Sequence, residues 1–400
     1  MVDLAEGAML GRASGQDGAA TDAHALVPLT CLPPAAWQAL CARAIEPNGY
    51  YLPGWELAVN ASASGRTDAL ALAARRETKL IGLLPVVQLR RAWKIPLPAL
   101  VSAHPYGTLC TPPLDRDMAD EAAGQLLQNA RASGARALIL RDMSLAGAAM
   151  QAIGAQLARD GLRPRVLQSC LRACLDATRD AEALLQDALG AKKLKELRRQ
   201  RRRLGEHGTV TFDVARSSDD VAAALDVFLA LETSGWKGTR GTALAQDQGD
   251  ATFIRRATRA LAETGQCEIV TLRTGETPVA SGIVLRQQSR AFFFKIGVDE
   301  RFAKYSPGVQ LTLDLTRHLC ADSTIASADS TASADHPMIN PIWRGRFAVG
   351  DVLIPLRRND PVVGLIHGAL LARRHGLDLA RSGARLIRSW RDRRPHDAAH

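Results

Sequence analysis

Residues 290–320 read RAFFFKIGVDERFAKYSPGVQLTLDLTRHLC, and this stretch decides the fold. Aromatic and β-branched residues over 291–298 predict a half-buried strand. After the polar run 299–304, Ser306 and Pro307 precede leucines that recur at helical spacing. Upstream, residues 267–286 predict two further strands joined by tight turns. The pattern predicts an antiparallel meander that leads through a short arm into a helix.

The start of that helix predicts an anion site. With Ser306 as the N-cap, the amides of Gly308, Val309 and Gln310 are expected to point out of the helix without an intrahelical partner. The positive end of the helix dipole and a glycine that allows close approach favour a phosphate there. Ser-Pro-Gly is also an ordinary way to begin a helix, so simple helix initiation is the alternative.

This arrangement resembles the acyl-CoA site of the GNAT N-acyltransferase superfamily. In that family a strand ending near a Val, here Val298, is followed by Arg or Gln, two spacers, Gly, one spacer and Gly. These signature positions fall on Ala303, Ser306 and Gly308 of this chain, so only the last is kept. The resemblance implies that Val298, Ser306, Gly308, Val309 and Gln310 bind acetyl-CoA or another acyl-CoA as co-substrate.

The wider pattern is similar to the CelD-like acetyltransferase branch, named for a cellulose-biosynthesis protein, and to FemAB-like tandem GNAT proteins. It comprises Glu232 with Ser-Gly-Trp-Lys-Gly at 234–238, the Phe-rich strand, Tyr-Ser-Pro-Gly at 305–308, and Asp335-His336 upstream of Trp343. The implied fold is α+β, with tandem GNAT-like domains that each contain a mostly antiparallel mixed sheet flanked by helices.

Four segments are expected along the chain. Residues 1–25 form a disordered N-terminus, 26–176 a GNAT-like domain without a CoA site, 177–358 a GNAT domain with the acyl-CoA site, and 359–400 a basic amphipathic tail. The first domain repeats the order of elements but lacks the Ser-Pro-Gly helix start.

Three residues are candidates for catalysis. Glu232 is a candidate base at a helix C-terminus, where the dipole disfavours a negative charge. His336 could relay a proton, and Tyr305 could donate one to the leaving thiolate sulfur. Their plain structural alternatives are an exposed carboxylate, a surface histidine and a packing tyrosine.

Four further residues are candidates for substrate binding. Trp236 could line a pocket, and Lys237 could bind a phosphate. Asp335 would add a carboxylate next to His336. Tyr106 lies on a Pro/Gly loop of the first domain that a tandem arrangement turns toward the interdomain cleft. Core packing, solvent exposure and an ordinary turn explain the same residues without a function.

The net charge of +10 is localised in two segments. Residues 192–203 carry eight Lys or Arg against one Glu, and residues 372–394 carry eight Arg against two Asp. The first segment lacks interleaved aromatics, so a solvated helix face or an anion-attracting rim is preferred to nucleic-acid binding. The tail can dock on the body or make peripheral contact with an anionic membrane.

Composition bounds the remaining classes. No run of eighteen uncharged apolar residues and no signal-like start exist, so a soluble, cytoplasmic protein is expected. The seven cysteines are scattered without metal-like spacing, so no metal site is expected.

The expected function is transfer of an acyl group, with acetyl as the expected one, from acyl-CoA to an amine. The acceptor is expected to be a small molecule or a glycan or lipid precursor in cell-envelope or exopolysaccharide metabolism. The alternatives are FemAB-like tRNA-dependent aminoacyl transfer, and a non-catalytic binding module in polysaccharide biosynthesis, which the departure at Ala303 favours.

Overall fold

The computed structural model describes residues 25–66, 68–92, 95–103, 105–373 and 376. The predicted disorder before residue 25 and most of the predicted tail beyond residue 373 lie outside the described residues. The strands are β1 (Val27–Pro28), β2 (Leu70–Arg76), β3 (Lys79–Ala92), β4 (Ile95–Ser102), β5 (Ala137–Ser144), β6 (Arg165–Asp176), β7 (Val210–Ala215), β8 (Cys267–Thr274), β9 (Thr277–Gln287), β10 (Arg290–Val298), β11 (Ser327–Asp329) and β12 (Gly345–Pro355). The helices are α1 (Pro34–Ala42), α2 (Pro53–Ser62), α3 (Ala119–Ala132), α4 (Ala148–Arg159), α5 (Ala181–Leu204), α6 (Ser218–Ser234), α7 (Trp236–Thr239), α8 (Gln248–Ala262) and α9 (Pro307–Ala321).

These strands form one sheet in the order β1-β2-β3-β4-β5-β12-β6-β11-β10-β9-β8-β7. All pairs are antiparallel except β4 with β5 and β10 with β11, which are parallel. Helices flank this mixed sheet, so the predicted α+β class is confirmed. The meander β8-β9-β10 leads into α9, as the sequence pattern predicts, and α9 is followed by the short strand β11, which was not predicted.

The same order occurs twice along the chain. In the first half, β2-β3-β4 is followed by α3 and by β5, which is parallel to β4. In the second half, β8-β9-β10 is followed by α9 and by β11, which is parallel to β10. Each unit joins its parallel strands through a helix, as such strands require. The architecture is therefore an internal repeat.

The two halves pack around a shared hydrophobic core. Trp37 and Trp55 of the first half are buried in the same cluster as Phe228, Phe253 and Phe292 of the second half. The rings of Trp55 and Phe253 meet edge to face with centroids 5.1 Å apart. This shared core sets the orientation of the second-half site relative to first-half loops.

Strand β12 crosses between the halves. It lies between β5 and β6 and is antiparallel to both, although it follows β11 in the chain. Residues from the predicted 177–358 segment thus complete the sheet of the 26–176 segment. The segment boundaries themselves stay predictions.

A terminal helix over residues 361–373 covers part of this sheet. Val363 and Ile366 are buried in a cluster with Ile139 and Leu353. The start of the predicted tail therefore docks on the body, and its arginine-rich remainder lies outside the described residues. No helix in the described part of the chain is both long and apolar enough to cross a bilayer.

Candidate active site

The connection from β10 to α9 forms the centre of the site. A 3₁₀ turn over Glu300–Tyr305 follows β10, and Ser306 then adopts a left-handed conformation with φ 53° before α9 begins at Pro307. Ser306 is the N-cap residue, but its side chain makes no capping hydrogen bond. The predicted serine cap is wrong in this respect, because the left-handed backbone replaces the extended one that a capping side chain needs.

Two of the three predicted free amides remain available. The amide of Gln310 donates to the carbonyl of Ser306 at 3.0 Å, and its side chain donates through Nε2 to the carbonyl of Leu197 at 2.8 Å. The prediction for Gln310 is therefore wrong, since the N-cap carbonyl accepts the first intrahelical bond. No described residue accepts a hydrogen bond from the amides of Gly308 or Val309.

Gly308 is buried where the helix start meets the end of β10. A Cβ added there would lie 3.0 Å from Met338 Sδ and 3.3 Å from Val298 Cγ2, both tighter than ordinary contacts. A side chain at this position would therefore require Met338 or Val298 to shift by a few tenths of an ångström. Met338 is flexible and adaptable, so it is the neighbour that can move when a ligand enters.

His336 shapes the turn that carries Met338. Its Nδ1 accepts a hydrogen bond from the amide of Met338 at 3.3 Å, and its ring is half-buried. Asp335 is exposed in the same turn. The predicted Asp335-His336 pair therefore lies near the start of α9, because His336 is hydrogen-bonded to Met338 and Met338 lies over Gly308.

Beside this turn the sheet splits. Strand β10 pairs with β11 only over Arg290–Phe292, whereas its pairing with β9 continues to Val298. On its other side, β11 pairs with residues 174–176 of β6. We call the wedge the opening between residues 165–172 of β6 and 293–298 of β10, with β11 at its apex.

The wall of the wedge formed by β10 contains an irregularity. Its register with β9 shifts between Phe293 and Lys295, so Phe294 is an extra residue in the strand. The hydroxyl of Thr331 donates to the carbonyl of Phe293 at 2.6 Å, where the strands separate. Bulges re-aim backbone groups next to active sites, and an unpaired strand edge can receive an extended ligand.

Glu232 lies at the end of α6 against this strand. Its Oε1 is 3.3 Å from Lys295 Nζ, and its Oε2 accepts the amide of Leu244 at 2.9 Å. Only 2% of Glu232 is exposed, so the alternative of a solvent-exposed carboxylate is wrong. The sequence motifs do not include Lys295, although a lysine within a Phe-rich strand is a signal for a buried ion pair.

Tyr106 extends from the first half toward the same region. Its ring stacks on Phe253 with centroids 4.8 Å apart, and its hydroxyl donates to Asp250. Burial raises the pKa of Tyr106, and the hydrogen bond to Asp250 and the charges of Asp250, Asp247 and Glu232 raise it further. The predicted approach of Tyr106 to the second half therefore has a structural basis.

The remaining candidates lie in different surroundings. Trp236 and Lys237 begin α7, and their side chains lie outside the described part of the chain. The Tyr305 hydroxyl and His207 Nε2 are hydrogen-bonded at 2.9 Å, with the tyrosine ring buried. The role of Tyr305 as a proton donor to sulfur stays a prediction. In this structure its hydroxyl is hydrogen-bonded to His207.

Comparison with known proteins identifies the fold. Residues 191–336 match the family described as an acetyltransferase (GNAT) domain, and this range contains β10, α9 and β11. The crystal structure of FemX superposes with a TM-score of 0.54 at 12% identity, covering 84% of this chain and 98% of that one. The chain has a GNAT/FemAB-like fold.

Two other solved structures superpose on most of this chain. One is the C-terminal domain of a protein described as a lysylphosphatidylglycerol synthetase from Agrobacterium fabrum, with 14% identity, TM-score 0.52, and coverage of 84% of this chain and 95% of that chain. The other is a Bacteroides thetaiotaomicron protein of unknown function, with 10% identity, TM-score 0.51, and coverage of 82% and 98%. No curated protein matches the chain in sequence.

Charged side chains that the motif analysis missed meet at the apex of the wedge of this GNAT-like sheet. Arg172 Nη1 donates to Asp329 Oδ2 at 3.0 Å, and its Nη2 lies 3.8 Å from Asp142 Oδ1. The amide of Asp142 donates to Asp351 Oδ1 at 3.0 Å. These residues come from β6, β11, β5 and β12, so only the sheet order brings them together. We call them the apex cluster.

Proposed function

We propose that this protein transfers an acyl group from acyl-CoA to an amine. The observation that carries the proposal is the pair of amides at Gly308 and Val309, which have no described acceptor at the start of a helix beside the wedge. Amides and dipole at a helix start favour a diphosphate. GNAT domains generally use acetyl-CoA, and this supports the same co-substrate here.

In this proposal the thioester arm lies extended along residues 293–298 of β10, where β11 no longer pairs with that strand. The bulge at Phe294 exposes backbone donors that can polarise the thioester carbonyl. The acceptor nitrogen attacks the carbonyl carbon, the carbon–sulfur bond breaks, the departing thiolate takes a proton from solvent, and the nitrogen loses a proton. Glu232 is the proposed acceptor of that proton, through the side of its carboxylate that faces Lys295.

Calorimetry with acetyl-CoA tests the proposal. Wild type should bind, and Gly308→Asp should weaken binding at least about 100-fold, because a carboxylate would face the diphosphate. Gly154→Asp is the matched control, since Gly154 lies on α4 with no other atom near its added Cβ. Equal binding by all three proteins, each folded by circular dichroism, would contradict the helix-start site.

A second function is favoured by the exposed basic face of α5. Lys192, Lys195, Arg198, Arg199 and Arg202 are exposed, while Leu194 and Leu197 are buried. A cationic helix face beside the site, in a FemX-like fold, supports aminoacyl transfer from charged tRNA. Transfer from radiolabelled aminoacyl-tRNA, without any from acetyl-CoA, would favour this function.

The non-catalytic alternative is favoured by the departure from the family pattern at Ala303 and by Met338, which lies over Gly308. Failure of acetyl-CoA binding together with failure of tRNA-dependent transfer would support it.

A further inference from the structure

Lys295 brings an amine of the chain itself to the bulge of β10. It belongs to residues 293–298, where β11 no longer pairs with β10. In a regular strand Phe294 and Lys295 would face opposite sides of the sheet. Here both face α6, because Phe294 is buried in the same cluster as Phe228 of α6, and Lys295 contacts Glu232 of that helix. The bulge therefore turns this amine toward the proposed proton acceptor.

The ion pair between Lys295 and Glu232 is unequal in burial. The side chain of Glu232 is fully buried, whereas 22% of the Lys295 side chain is exposed. The amide of Leu244 donates to Oε2 of Glu232, so Oε1 is the oxygen that faces Nζ of Lys295, at 3.3 Å. A carboxylate is thus held in place while the amine beside it stays open to a reagent.

A second lysine has a similar partner in the first half. Lys79 Nζ lies 2.9 Å from Oδ2 of Asp115, whose side chain is also fully buried, and 44% of the Lys79 side chain is exposed. Lys79 begins β3, in the half where no co-substrate site is proposed. The two lysines therefore share a buried carboxylate partner and differ in their position relative to the proposed thioester.

The proposed thioester carbonyl and the amine of Lys295 would meet at the same bulge. The carbonyl is proposed to lie on backbone donors at Phe294, and Nζ of Lys295 lies 5.9 Å from the centroid of the Phe294 ring. We infer that Lys295 is a modification site, at which the co-substrate acylates the protein's own amine. This inference rests on the proposed binding of acyl-CoA and adds a self-modification to it.

The reaction converts the Lys295 ammonium into an amide. Glu232 accepts one proton from the ammonium, which gives the nitrogen a lone pair. That pair forms a bond to the thioester carbonyl carbon, and the carbon–sulfur bond breaks with its electrons on sulfur. The nitrogen and Glu232 each release a proton to solvent, and the thiolate takes one up. The amide has no charge, so acylation removes the cation that faces Glu232.

The experiment follows the labelling of individual lysines by trideuterated acetyl-CoA, with peptide mass spectrometry of the full chain. The deuterium separates new acetyl groups from any already present. Lys295 should be labelled at least about tenfold faster than Lys79, although Lys79 is the more exposed. With N-acetoxysuccinimide, a small reagent that needs no binding site, the order should reverse.

Two controls connect the labelling to the co-substrate site. Free CoA in excess should suppress the labelling of Lys295 without changing that of Lys79, a result that does not depend on the folding of any variant. Gly308→Asp should also suppress it, and Gly154→Asp, on α4, should retain it.

Equal labelling of Lys295 and Lys79 by acetyl-CoA, or labelling of Lys295 that free CoA leaves unchanged, overturns the inference. Acetyl-CoA calorimetry is run on the same samples. Binding that Gly308→Asp removes, without labelling of Lys295, would sink the modification site alone. Labelling that free CoA suppresses but Gly308→Asp retains would sink the helix-start site of the proposed function and leave the modification.

Discussion

The two halves contain the same strand–helix–strand unit, yet the site is proposed in the second half and not in the first. In the first half, β4 and β5 pair in parallel over Ala99–Val101 and are joined through α3. In the second half, β10 and β11 pair in parallel over Arg290–Phe292 and are joined through α9. Each parallel pairing is equally short. The difference must therefore lie in the helix start and in what fills the space beyond the paired residues.

The helix starts differ in charge. The first turn of α3 carries Asp120 and Glu121, which suit the helix dipole but repel a phosphate. The first turn of α9 has no acidic residue and begins with Pro307 and Gly308. The positive end of the helix dipole is thus neutralised by acidic side chains in the first half and has none in its first turn in the second half.

The spaces beside the strands differ in what closes them. In the first half, the chain after β4 bonds to β5: the amide of Cys110 donates to the carbonyl of Asp142 at 3.2 Å, and the amide of Ser144 donates to Thr111 Oγ1 at 3.2 Å. In the second half, Thr331 and Met338 approach through their side chains. The contacts to β5 in the first half therefore involve main-chain groups, whereas the contacts of Thr331 and Met338 in the second half are made by side chains.

The largest expected effect compares the buried carboxylates of the halves. Glu232→Gln should lower kcat about 100- to 1000-fold with little change in acetyl-CoA affinity, because a proton acceptor is lost. Glu56 of α2 instead pairs with buried Arg66, so Glu56→Gln should lower the free energy of unfolding by about 3–5 kcal/mol. Steady-state kinetics and urea denaturation are measured for both variants. A lower kcat for Glu56→Gln, under conditions in which that variant is folded, would contradict the assignment of catalysis to Glu232 and of stability to Glu56.

A smaller effect concerns Asp142, at the border of the halves. Burial raises the pKa of Asp142 from 3.8 to about 6, so the native state binds the proton more tightly than the unfolded chain. The resulting stability is present at low pH and is lost as the pH rises through about 6. Relative to Asp142→Asn, wild type should lose about 2 kcal/mol of unfolding free energy between about pH 4 and pH 7.

Urea denaturation across that pH range measures the difference. The exposed Asp120→Asn variant of α3 is the control, and its difference from wild type should stay nearly flat. A flat difference for Asp142→Asn as well would show that this carboxyl has an ordinary pKa.

The contact over Gly308 predicts an effect of about tenfold. Gly308→Ala places a Cβ 3.0 Å from Met338 Sδ, so acetyl-CoA affinity should fall about tenfold, and the added Met338→Ala substitution should restore it. Gly124→Ala in α3, where the nearest atom to an added Cβ is Gln156 Oε1 at 3.5 Å, should leave affinity unchanged. Calorimetry on the four proteins measures the coupling, and purely additive losses would contradict it.

The smallest expected effect is the absence of a second site. Acetyl-CoA should bind with a stoichiometry of one, also in the Asp120→Asn and Glu121→Gln double variant, because main chain still fills the space beside β5. A second equivalent in that variant would show that charge alone distinguishes the halves.

Local patterns predicted the second-half unit well. Leucine spacing, Pro307 and the Phe-rich strand indicated β10 and α9, because these signals lie within one continuous stretch. The free amide of Gln310 was a miscount, since the carbonyl of an N-cap residue already accepts the amide four positions later. The position of Glu232 at a helix end was predicted, but its partner Lys295 comes from a strand 63 residues away.

The apex cluster could not be predicted in the same way. Arg172 within the apolar strand pattern around Leu171 and Ala173 was a usable signal of a buried charge. Asp329 lies in a run of small polar residues that gives no pattern, and it reaches Arg172 only through the strand order. Strand β4 was also missed, because Pro96 and Pro98 argue against a strand. Both precede Ala99–Val101, the part of β4 that pairs with β5.

The position of β12 has a consequence for biosynthesis. A ribosome delivers β5 and β6 long before Gly345–Pro355, the strand that separates them in the finished sheet. Until that last strand emerges, the nascent first half has two open edges, which are sites for mispairing. Folding of the amino-terminal half must therefore wait for the carboxyl-terminal one, so the polypeptide matures as a single unit and not domain by domain during translation.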